Sequence, residues 1–146
     1  MSNQDHIKGV FLRSMATKQA ILDACLPELE RFALVFTRAL HDGHKLIFCG
    51  NGGSAADAQH FAAELLVRLR PSVNRAPIPA IALALNSSTL TACGNDYSFH
   101  DIYARAVSAL RQKGEVLVGI TKSGNSPNIL GAFEVAKKKA CKIWAS

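Results

Sequence analysis

The chain has 146 residues, of which 49% are hydrophobic, and a formal net charge of +6. This length suits a single domain with a buried core. The sequence has no apolar stretch long enough to span a membrane. Residues 1–5 lack the basic and apolar regions of a signal peptide. The four cysteines are widely spaced, unlike those of a zinc ribbon, so we expect a cytoplasmic protein with reduced thiols and no membrane partner.

Stretches with helical and strand character alternate along the chain. The predicted elements are a helix over 5–42, a strand over 45–49, a helix over 55–69, a strand over 78–84, helical turns over 88–93, a helix over 101–111, a strand over 115–121, a helix over 127–139 and a strand over 141–145. Pro27 is expected to break or kink the first helix, and Ser54 with Asp57 resembles a capping box for the second. The alternation predicts an α/β fold with a parallel sheet covered by helices.

Two junctions between a strand and a helix have the composition of anion-binding loops. One carries Gly50-Asn51-Gly52-Gly53-Ser54, and the other carries Ser123-Gly124-Asn125-Ser126-Pro127. Because free backbone N–H groups meet the positive end of a helix dipole at such a junction, phosphate is its usual occupant. The hydroxyls of Thr121, Ser123 and Ser126 can add donors in the second loop. Loops that follow two strands of one parallel sheet open toward the same edge, so we expect both to contribute to one site.

Neither loop completes a nucleotide-binding motif. The second resembles a P-loop, but Asn125 takes the place of the lysine that contacts the β- and γ-phosphates. The first fits the dinucleotide pattern over 50–55, but the next predicted strand ends at Leu85-Asn86 without the acidic residue that binds the ribose. The basic residues are dispersed apart from Lys137-Lys138-Lys139, which complements a helix dipole, so we expect no nucleic acid partner. These exclusions leave a small phosphorylated metabolite as the predicted ligand.

The helix after the first loop carries the candidate chemistry. His60 and Glu64 are four residues apart and share one helix face. An imidazole and a carboxylate at this spacing suit a divalent metal or proton transfer, although a surface pair or a core histidine is the more common meaning of the pattern. Arg68 continues the same face and can pair with a sugar phosphate or Glu64, or lie at the surface. Asn95 and Asp96 fall in a predicted loop. The sequence leaves two interpretations of them open, a turn with an N-cap aspartate or a contact with the ligand.

Six stretches occur in an order and at spacings that identify a family. They are C-G-N-G-G-S at 49–54, Asp57, H-F-A-A-E-L at 60–65, P-A-I-A-L at 79–83, G-N-D at 94–96 and G-I-T-K-S-G-N-S-P-N at 119–128. Together they resemble the phosphoheptose isomerases of the sugar isomerase (SIS) domain family. The resemblance implies a three-layer αβα sandwich with a parallel sheet and a homotetramer whose active sites lie between subunits. It also implies conversion of sedoheptulose 7-phosphate to D-glycero-D-manno-heptose 7-phosphate, the first step toward the heptose of bacterial surface polysaccharide.

The resemblance further implies roles for individual residues. His60 and Glu64 match metal-ligand positions, with Zn²⁺ the usual ion, and Glu64 also matches the base that moves a proton between the first two sugar carbons. The positions that match substrate contacts are Asn51, Gly52, Gly53, Ser54, Glu64, Asn95 and Asp96, with Thr121, Lys122, Ser123 and Ser126 around the phosphate. Lys122 departs from the small hydroxyl residue usual in the family, and it can supply charge to the phosphate or point into solvent.

The resemblance covers residues 1–146 as one SIS domain, with a helical arm over 1–43 and an α/β core over 44–146. The family continues with a strand and a helix whose Gln and His complete the metal ligands, and whose His is the proposed acid. That C-terminal strand and helix are absent here, so we expect a fragment or a naturally short form. The 146 residues alone are expected to bind zinc poorly and to show little isomerase activity.

Two non-enzymatic classes stay open. One is a SIS-type adaptor that binds a phosphosugar or the bacterial replication initiator without catalysis, and the other is a phosphosugar-sensing domain of transcription regulators. Glu64 and the intact Asn51-Gly52-Gly53-Ser54 loop favour the enzyme over the adaptor. The absence of a DNA-binding segment from the sequence counts against the sensor.

Overall fold

The computed structural model describes residues 2–138 and 141–145. In this part of the chain the helices are α1 (Asn3–His41), α2 (Gly53–Leu66), α3 (Ser87–Asp96), α4 (Ile102–Leu110) and α5 (Pro127–Lys137). The strands are β1 (Leu46–Gly50), β2 (Ala80–Ala82), β3 (Val116–Ile120) and β4 (Lys142–Ala145), and single 3-10 turns cover Leu83–Leu85 and Phe99–Asp101. The predicted end of the last helix, Lys139, lies outside the described residues.

The chain divides into two compact units, residues 1–35 and 36–146, and the boundary between them lies within α1. The first unit is helical and begins with a cap that the sequence analysis did not predict. The Ser2 N–H donates to Asp5 Oδ2 at 2.9 Å, and the Asp5 N–H donates back to Ser2 Oγ at 3.1 Å. The Ser2 hydroxyl also donates to Asp5 Oδ2, at 2.9 Å. The two hydrogen bonds that this carboxylate accepts, first from the backbone N–H and then from the hydroxyl of Ser2, lower the pKa of Asp5 below its ordinary value. The reciprocal pair satisfies N–H groups that a helix start leaves open.

The predicted break at Pro27 is wrong, because α1 runs through this residue without interruption. Proline removes one backbone donor and crowds the carbonyl four residues earlier. In a helix of 39 residues, the turns on either side continue the hydrogen-bond ladder past that single loss. No helix in the described ranges is both long enough and apolar enough to cross a membrane.

The second unit contains a four-stranded parallel sheet with the order β2-β1-β3-β4. One face of the sheet packs on α4 and α5 through Ile47, Cys49 and Leu117, which belong to the main core cluster. The other face carries α2, whose Ala58 and Ala62 are buried, and Phe48 stacks on Phe61 with ring centroids 6.1 Å apart. Helices on both faces of a parallel sheet confirm the predicted three-layer αβα fold.

Two local predictions on the helices were wrong. The capping box of Ser54 and Asp57 does not form, because α2 already begins at Gly53 and its N-cap is Gly52, at φ 54° and without a side-chain cap. Ser54 is therefore inside the first turn. The predicted loop around Asn95 and Asp96 is the end of α3, whose N-cap Asn86 accepts a hydrogen bond from the Thr89 N–H at 2.9 Å.

Candidate functional site

The two anion-type loops lie side by side at the carboxyl edge of the sheet. They follow β1 and β3, which are neighbouring parallel strands, so their ends meet where ligands bind in open α/β sheets. A cavity of about 450 Å³, here called the loop cavity, opens between them. Its lining residues are Asn51, Ser54, Ile120, Thr121, Lys122, Ser123 and Ser126. The structure thus brings together six of the residues that the sequence predicted to contact substrate.

The loop from β3 to α5 presents hydroxyl groups beside an open helix end. Thr121 Oγ1 and Ser126 Oγ lie 3.1 Å apart and share a hydrogen bond, and Ser123 Oγ accepts from the Asn125 N–H at 3.2 Å. Gly124 makes the turn at φ 71°, a conformation that costs glycine little. Ser126 is the N-cap of α5 but forms no side-chain cap. The positive end of the helix dipole is therefore available to an anion.

Lys122 adds the charged group of this loop. Lys122 is one of the residues that line the loop cavity, and it is exposed. A cation at this place raises the attraction of the cavity for an anionic ligand. Lys122 therefore lies at the cavity wall and in contact with solvent, and its role toward a phosphate stays a prediction.

An amide pair joins the two loops. Asn51 Nδ2 donates to Asn128 Oδ1 at 2.9 Å, and Asn128 Nδ2 donates to Asn51 Oδ1 at 2.8 Å. Asn128 is almost completely buried, with 1% of its surface exposed. Asn128 ends the family motif over 119–128, but the sequence indicates no role for it, because its partner is 77 residues away in the chain. No local signal could have identified this contact.

The end of β1 is pressed against the first turn of α2. A Cβ atom on Gly50 would lie 2.4 Å from the carbonyl oxygen of Ser54, so only glycine fits there. On the other side, the buried hydroxyl of Tyr103 donates to the Gly50 carbonyl, and burial raises the pKa of Tyr103. Gly52 and Gly53 are exposed at the start of α2, outside the lining of the loop cavity. These contacts hold the loop that presents Asn51.

His60 and Glu64 share one face of α2, as the spacing predicted. His60 Nε2 lies 3.6 Å from Glu64 Oε1, and the side chains are 69% and 28% exposed. The second carboxylate oxygen, Oε2, is buried and has no hydrogen-bond partner among the described residues. A buried carboxylate oxygen without a partner is costly unless a cation, a proton or a ligand completes it.

The donor set of this pair fits part of a zinc site. Imidazole nitrogen and carboxylate oxygen are both preferred zinc ligands, and a catalytic zinc usually has three protein ligands with a water molecule. Among residues 2–138 and 141–145, no group of three or more His, Cys, Asp or Glu side chains is placed to hold a metal ion. His60 and Glu64 therefore have the donor types of two of the ligands that such a site needs, and their binding of zinc stays a prediction.

Two arginines near the end of α2 differ in their contacts. Arg68 Nη1 donates to the Pro71 carbonyl at 3.4 Å rather than to Glu64, in agreement with its interpretation as a surface arginine. Arg75 instead reaches back to α2, where its guanidinium donates to the backbone carbonyls of Glu64 and Leu65 at 2.6 and 2.8 Å. The contact of Arg75 was not predictable from the sequence, because this residue lies in a loop without a motif.

Asn95 and Asp96 do not line the loop cavity. Both are exposed at the end of α3, where Asn95 Nδ2 donates to Asp96 Oδ1 at 2.8 Å. Asp96 lines a second cavity of about 860 Å³ beside α3 and α4, in which the Arg105 guanidinium lies 3.8 Å from the Tyr97 ring centroid. Their contact with a sugar stays a prediction.

Comparisons with known proteins agree with one another. Residues 11–145 match the model of the SIS domain family. The chain is 48% identical to the phosphoheptose isomerase of Rhodospirillum rubrum over 140 residues, which cover 96% of this chain and 73% of that protein. It is 45% identical to the phosphoheptose isomerase of Nitratiruptor sp. over 138 residues, covering 94% of this chain and 73% of that one.

Solved structures show the same similarity in three dimensions. A phosphoheptose isomerase from Francisella tularensis superimposes with a TM-score of 0.92 at 39% identity, covering 99% of this chain and 75% of that chain. The phosphoheptose isomerase of Neisseria gonorrhoeae superimposes with a TM-score of 0.90 at 37% identity, covering 99% and 74%.

Proposed function

This chain belongs to the phosphoheptose isomerase family of SIS-domain proteins, and on that premise we propose that it converts sedoheptulose 7-phosphate to D-glycero-D-manno-heptose 7-phosphate in the cytoplasm. The observation that carries the proposal is the loop cavity, in which six residues at substrate-contact positions of the family meet at one sheet edge. Its hydroxyls, helix end and lysine suit a phosphate, and its amide suits a hydroxylated sugar.

In this proposal the loop from β3 to α5 holds the phosphate of the sugar. Thr121, Ser123 and Ser126 donate hydroxyl hydrogen bonds, Lys122 supplies a positive charge, and the start of α5 supplies its dipole. Asn51, on the adjacent loop, binds the polar body of the sugar. The phosphate thereby anchors the substrate at one end and orients its reacting carbons.

Glu64 is the proposed general base. Its carboxylate removes a proton from C1 of the ketose, and the electron pair of that C–H bond forms the C1–C2 double bond of an enediolate. Return of a proton to C2, with transfer of the hydroxyl proton from O1 to O2, gives the aldehyde at C1 and completes a redox-neutral isomerisation. The Oε2 of Glu64 is buried and lacks a hydrogen-bond partner among the described residues. In this proposal it is the oxygen that takes up the proton.

His60 and Glu64 are the residues that would hold zinc. A bound zinc ion supplies Lewis-acid polarisation of sugar oxygens, which stabilises negative charge on an enediolate. The imidazole of His60, 69% exposed, is accessible to a metal ion in solution. Zinc content measured by atomic absorption should fall in His60→Ala relative to the unaltered protein, and equal zinc content in both would remove His60 from the site.

We further propose a homotetramer in which partner subunits complete each site. Support comes from the first unit, where large apolar side chains of α1 are exposed, among them Leu22, Leu26 and Leu29 at 51%, 54% and 46%. Their spacing of four and three residues is that of a helix-packing seam. An exposed apolar seam of this kind gains free energy by association with another copy.

Turnover with the proposed substrate tests the function directly. The 146-residue chain, for which we expect little activity, and a form extended through the natural stop codon, here called the extended chain, are each incubated with sedoheptulose 7-phosphate. The aldose phosphate product is followed by NMR. Fructose 6-phosphate serves as a second ketose phosphate that shares the phosphate group but is shorter by one carbon. Formation of the heptose 7-phosphate supports the proposal, whereas tight binding without turnover in the zinc-loaded extended chain would favour a non-catalytic phosphosugar-binding protein.

A further inference from the structure

The amide pair of Asn51 and Asn128 has a fixed orientation. Asn128 Oδ1 also accepts a hydrogen bond from the Ile129 N–H at 3.0 Å, so its Nδ2 must point toward Asn51 Oδ1. Both amides therefore act as donor and acceptor to each other, at 2.8 and 2.9 Å. After this pairing, Asn51 keeps one N–H and one oxygen lone pair for other partners. Because Asn51 lines the loop cavity, those groups are available to a ligand there.

The pair links two segments that have different predicted tasks. Asn128 lies in the first turn of α5, directly after the loop of the phosphate-contact residues. Asn51 lies in the loop before α2. The hydrogen bonds between the two side chains are part-buried, and Asn128 itself is almost completely buried. Loss of either partner therefore leaves the remaining amide unsatisfied. The relative position of the two loops thus depends on both amides.

We propose that Asn128 is a positioning residue: it orients Asn51 for the sugar and couples the phosphate loop to the loop before α2. This inference rests on the proposed function only for the identity of the sugar. Asn128 touches no substrate in this account and acts through Asn51. Since misplacement of a binding group by about 1 Å can cost about 100-fold in rate, we expect its loss to lower kcat/KM by about tenfold to 100-fold.

The central variant is Asn128→Ser, which keeps a hydroxyl beside the Ile129 N–H but is too short to reach Asn51. Asn128→Ala and Asn51→Ala, with the double variant Asn51→Ala/Asn128→Ser, complete the set. Asn3→Ser is the matched control, because Asn3 is exposed in the first turn of α1. Circular dichroism and thermal unfolding identify the variants that fold. If Asn128→Ala does not fold, the comparison is made with Asn128→Ser alone.

The kinetic result expected is non-additive. Asn128→Ser and Asn51→Ala each lower kcat/KM for sedoheptulose 7-phosphate, and the double variant is no worse than Asn51→Ala alone. Competitive inhibition by inorganic phosphate stays within about twofold in Asn128→Ser, because the hydroxyl loop is intact. Wild-type kcat/KM in Asn128→Ser, or losses that multiply in the double variant, would overturn the proposal.

A second measurement does not depend on turnover. Inorganic phosphate is titrated into ¹⁵N-labelled protein, and the backbone amides of Ser123, Gly52 and Gly53 are followed by NMR. In the unaltered protein all three respond; in Asn128→Ser only Ser123 responds. If all three amides still respond in Asn128→Ser, or if Ser123 does not respond in the unaltered protein, the coupling is refuted. A protein that shows the coupling but does not turn over the heptose phosphate contradicts the proposed function alone.

Discussion

The guanidinium of Arg75 holds the backbone of Glu64. Its Nη2 donates to the Glu64 carbonyl at 2.6 Å, and its Nη1 donates to the Leu65 carbonyl at 2.8 Å. The last carbonyls of a helix have no partner within the helix, and a cation there also complements the dipole. The Ile78 N–H adds a second donor to Leu65 at 3.0 Å. The residue proposed as catalytic base therefore lies on a helix end whose carbonyls are capped from the following loop.

Arg75→Ala should lower the free energy of unfolding by about 1–2 kcal/mol, because it removes two charge-assisted hydrogen bonds from part-buried carbonyls. Arg75→Lys should recover only part of this, since an ammonium group cannot reproduce the fork of the guanidinium. Urea unfolding followed by circular dichroism measures both. Arg70→Ala, a change at an exposed arginine of the same loop, is the control. A loss in Arg75→Ala no larger than that in Arg70→Ala would contradict the capping role.

In the chain extended through its natural stop codon, Glu64→Gln should lower kcat by about 10²- to 10⁴-fold, the usual contribution of a general base. The amide has nearly the same size and hydrogen-bonding reach, but it cannot accept the proton from C1. Turnover in D₂O measures the chemical step, because deuterium enters the product only when the enediolate forms and is reprotonated from solvent.

Glu134→Gln provides the matched control for the same chemical change. Glu134 is exposed and pairs only loosely with Lys137, at 3.6 Å. It should retain normal turnover and deuterium incorporation. Comparable activity in Glu64→Gln and Glu134→Gln would assign the proton transfer to another group.

The sequence predicted the parts of the site that depend on local pattern. The strand–loop–helix junctions were recognised from glycines, hydroxyls and apolar runs, and the helical spacing put His60 and Glu64 on one face. These features follow from backbone periodicity and turn chemistry, which act over a few residues. The parallel sheet followed from the alternation of elements, and the structure confirms it.

The contacts that fix the site in place were not predictable in this way. Asn128 meets Asn51, Arg75 meets the carbonyl of Glu64, and Tyr103 meets Gly50 only after the sheet and helices have packed. Each of these is a tertiary effect that overrides local preference.

Ser123→Ala should weaken binding of inorganic phosphate by about fivefold to tenfold, because one hydroxyl hydrogen bond to an anion contributes about 1–1.5 kcal/mol. The hydroxyl also accepts from the Asn125 N–H, so the loop loses part of its own support. Isothermal titration calorimetry measures the affinity. Ser72→Ala, at an exposed serine outside the cavity, should bind phosphate normally, and equal affinity in both variants would remove Ser123 from the phosphate site.

Stability should fall as the pH rises above 9, in part because of Cys49. Burial raises the pKa of this thiol from 9.0 to about 12, so the folded chain keeps the proton while the unfolded chain loses it. The unfolded state then binds fewer protons, and stability declines with pH in this range, by about 1 kcal/mol between pH 9 and 10 for this group. Cys49→Ala should reduce the decline measured by urea unfolding, whereas Cys25→Ala, at an exposed cysteine, should leave it unchanged. An identical decline in both variants would contradict the assignment.

Leu29→Glu should shift the protein to smaller assemblies. Leu22, Leu26 and Leu29 form one stripe on α1 and are each about half exposed in the isolated chain. Burying a leucine on association contributes about 1.5–3 kcal/mol, and a carboxylate in the same seam has to be desolvated without a partner. Light scattering coupled to size-exclusion chromatography measures the mass. Ala24→Glu introduces the same side chain at an exposed position on the opposite side of the helix, where association should tolerate it. If Leu29→Glu has the same mass as the unaltered protein, this stripe is not the assembly surface.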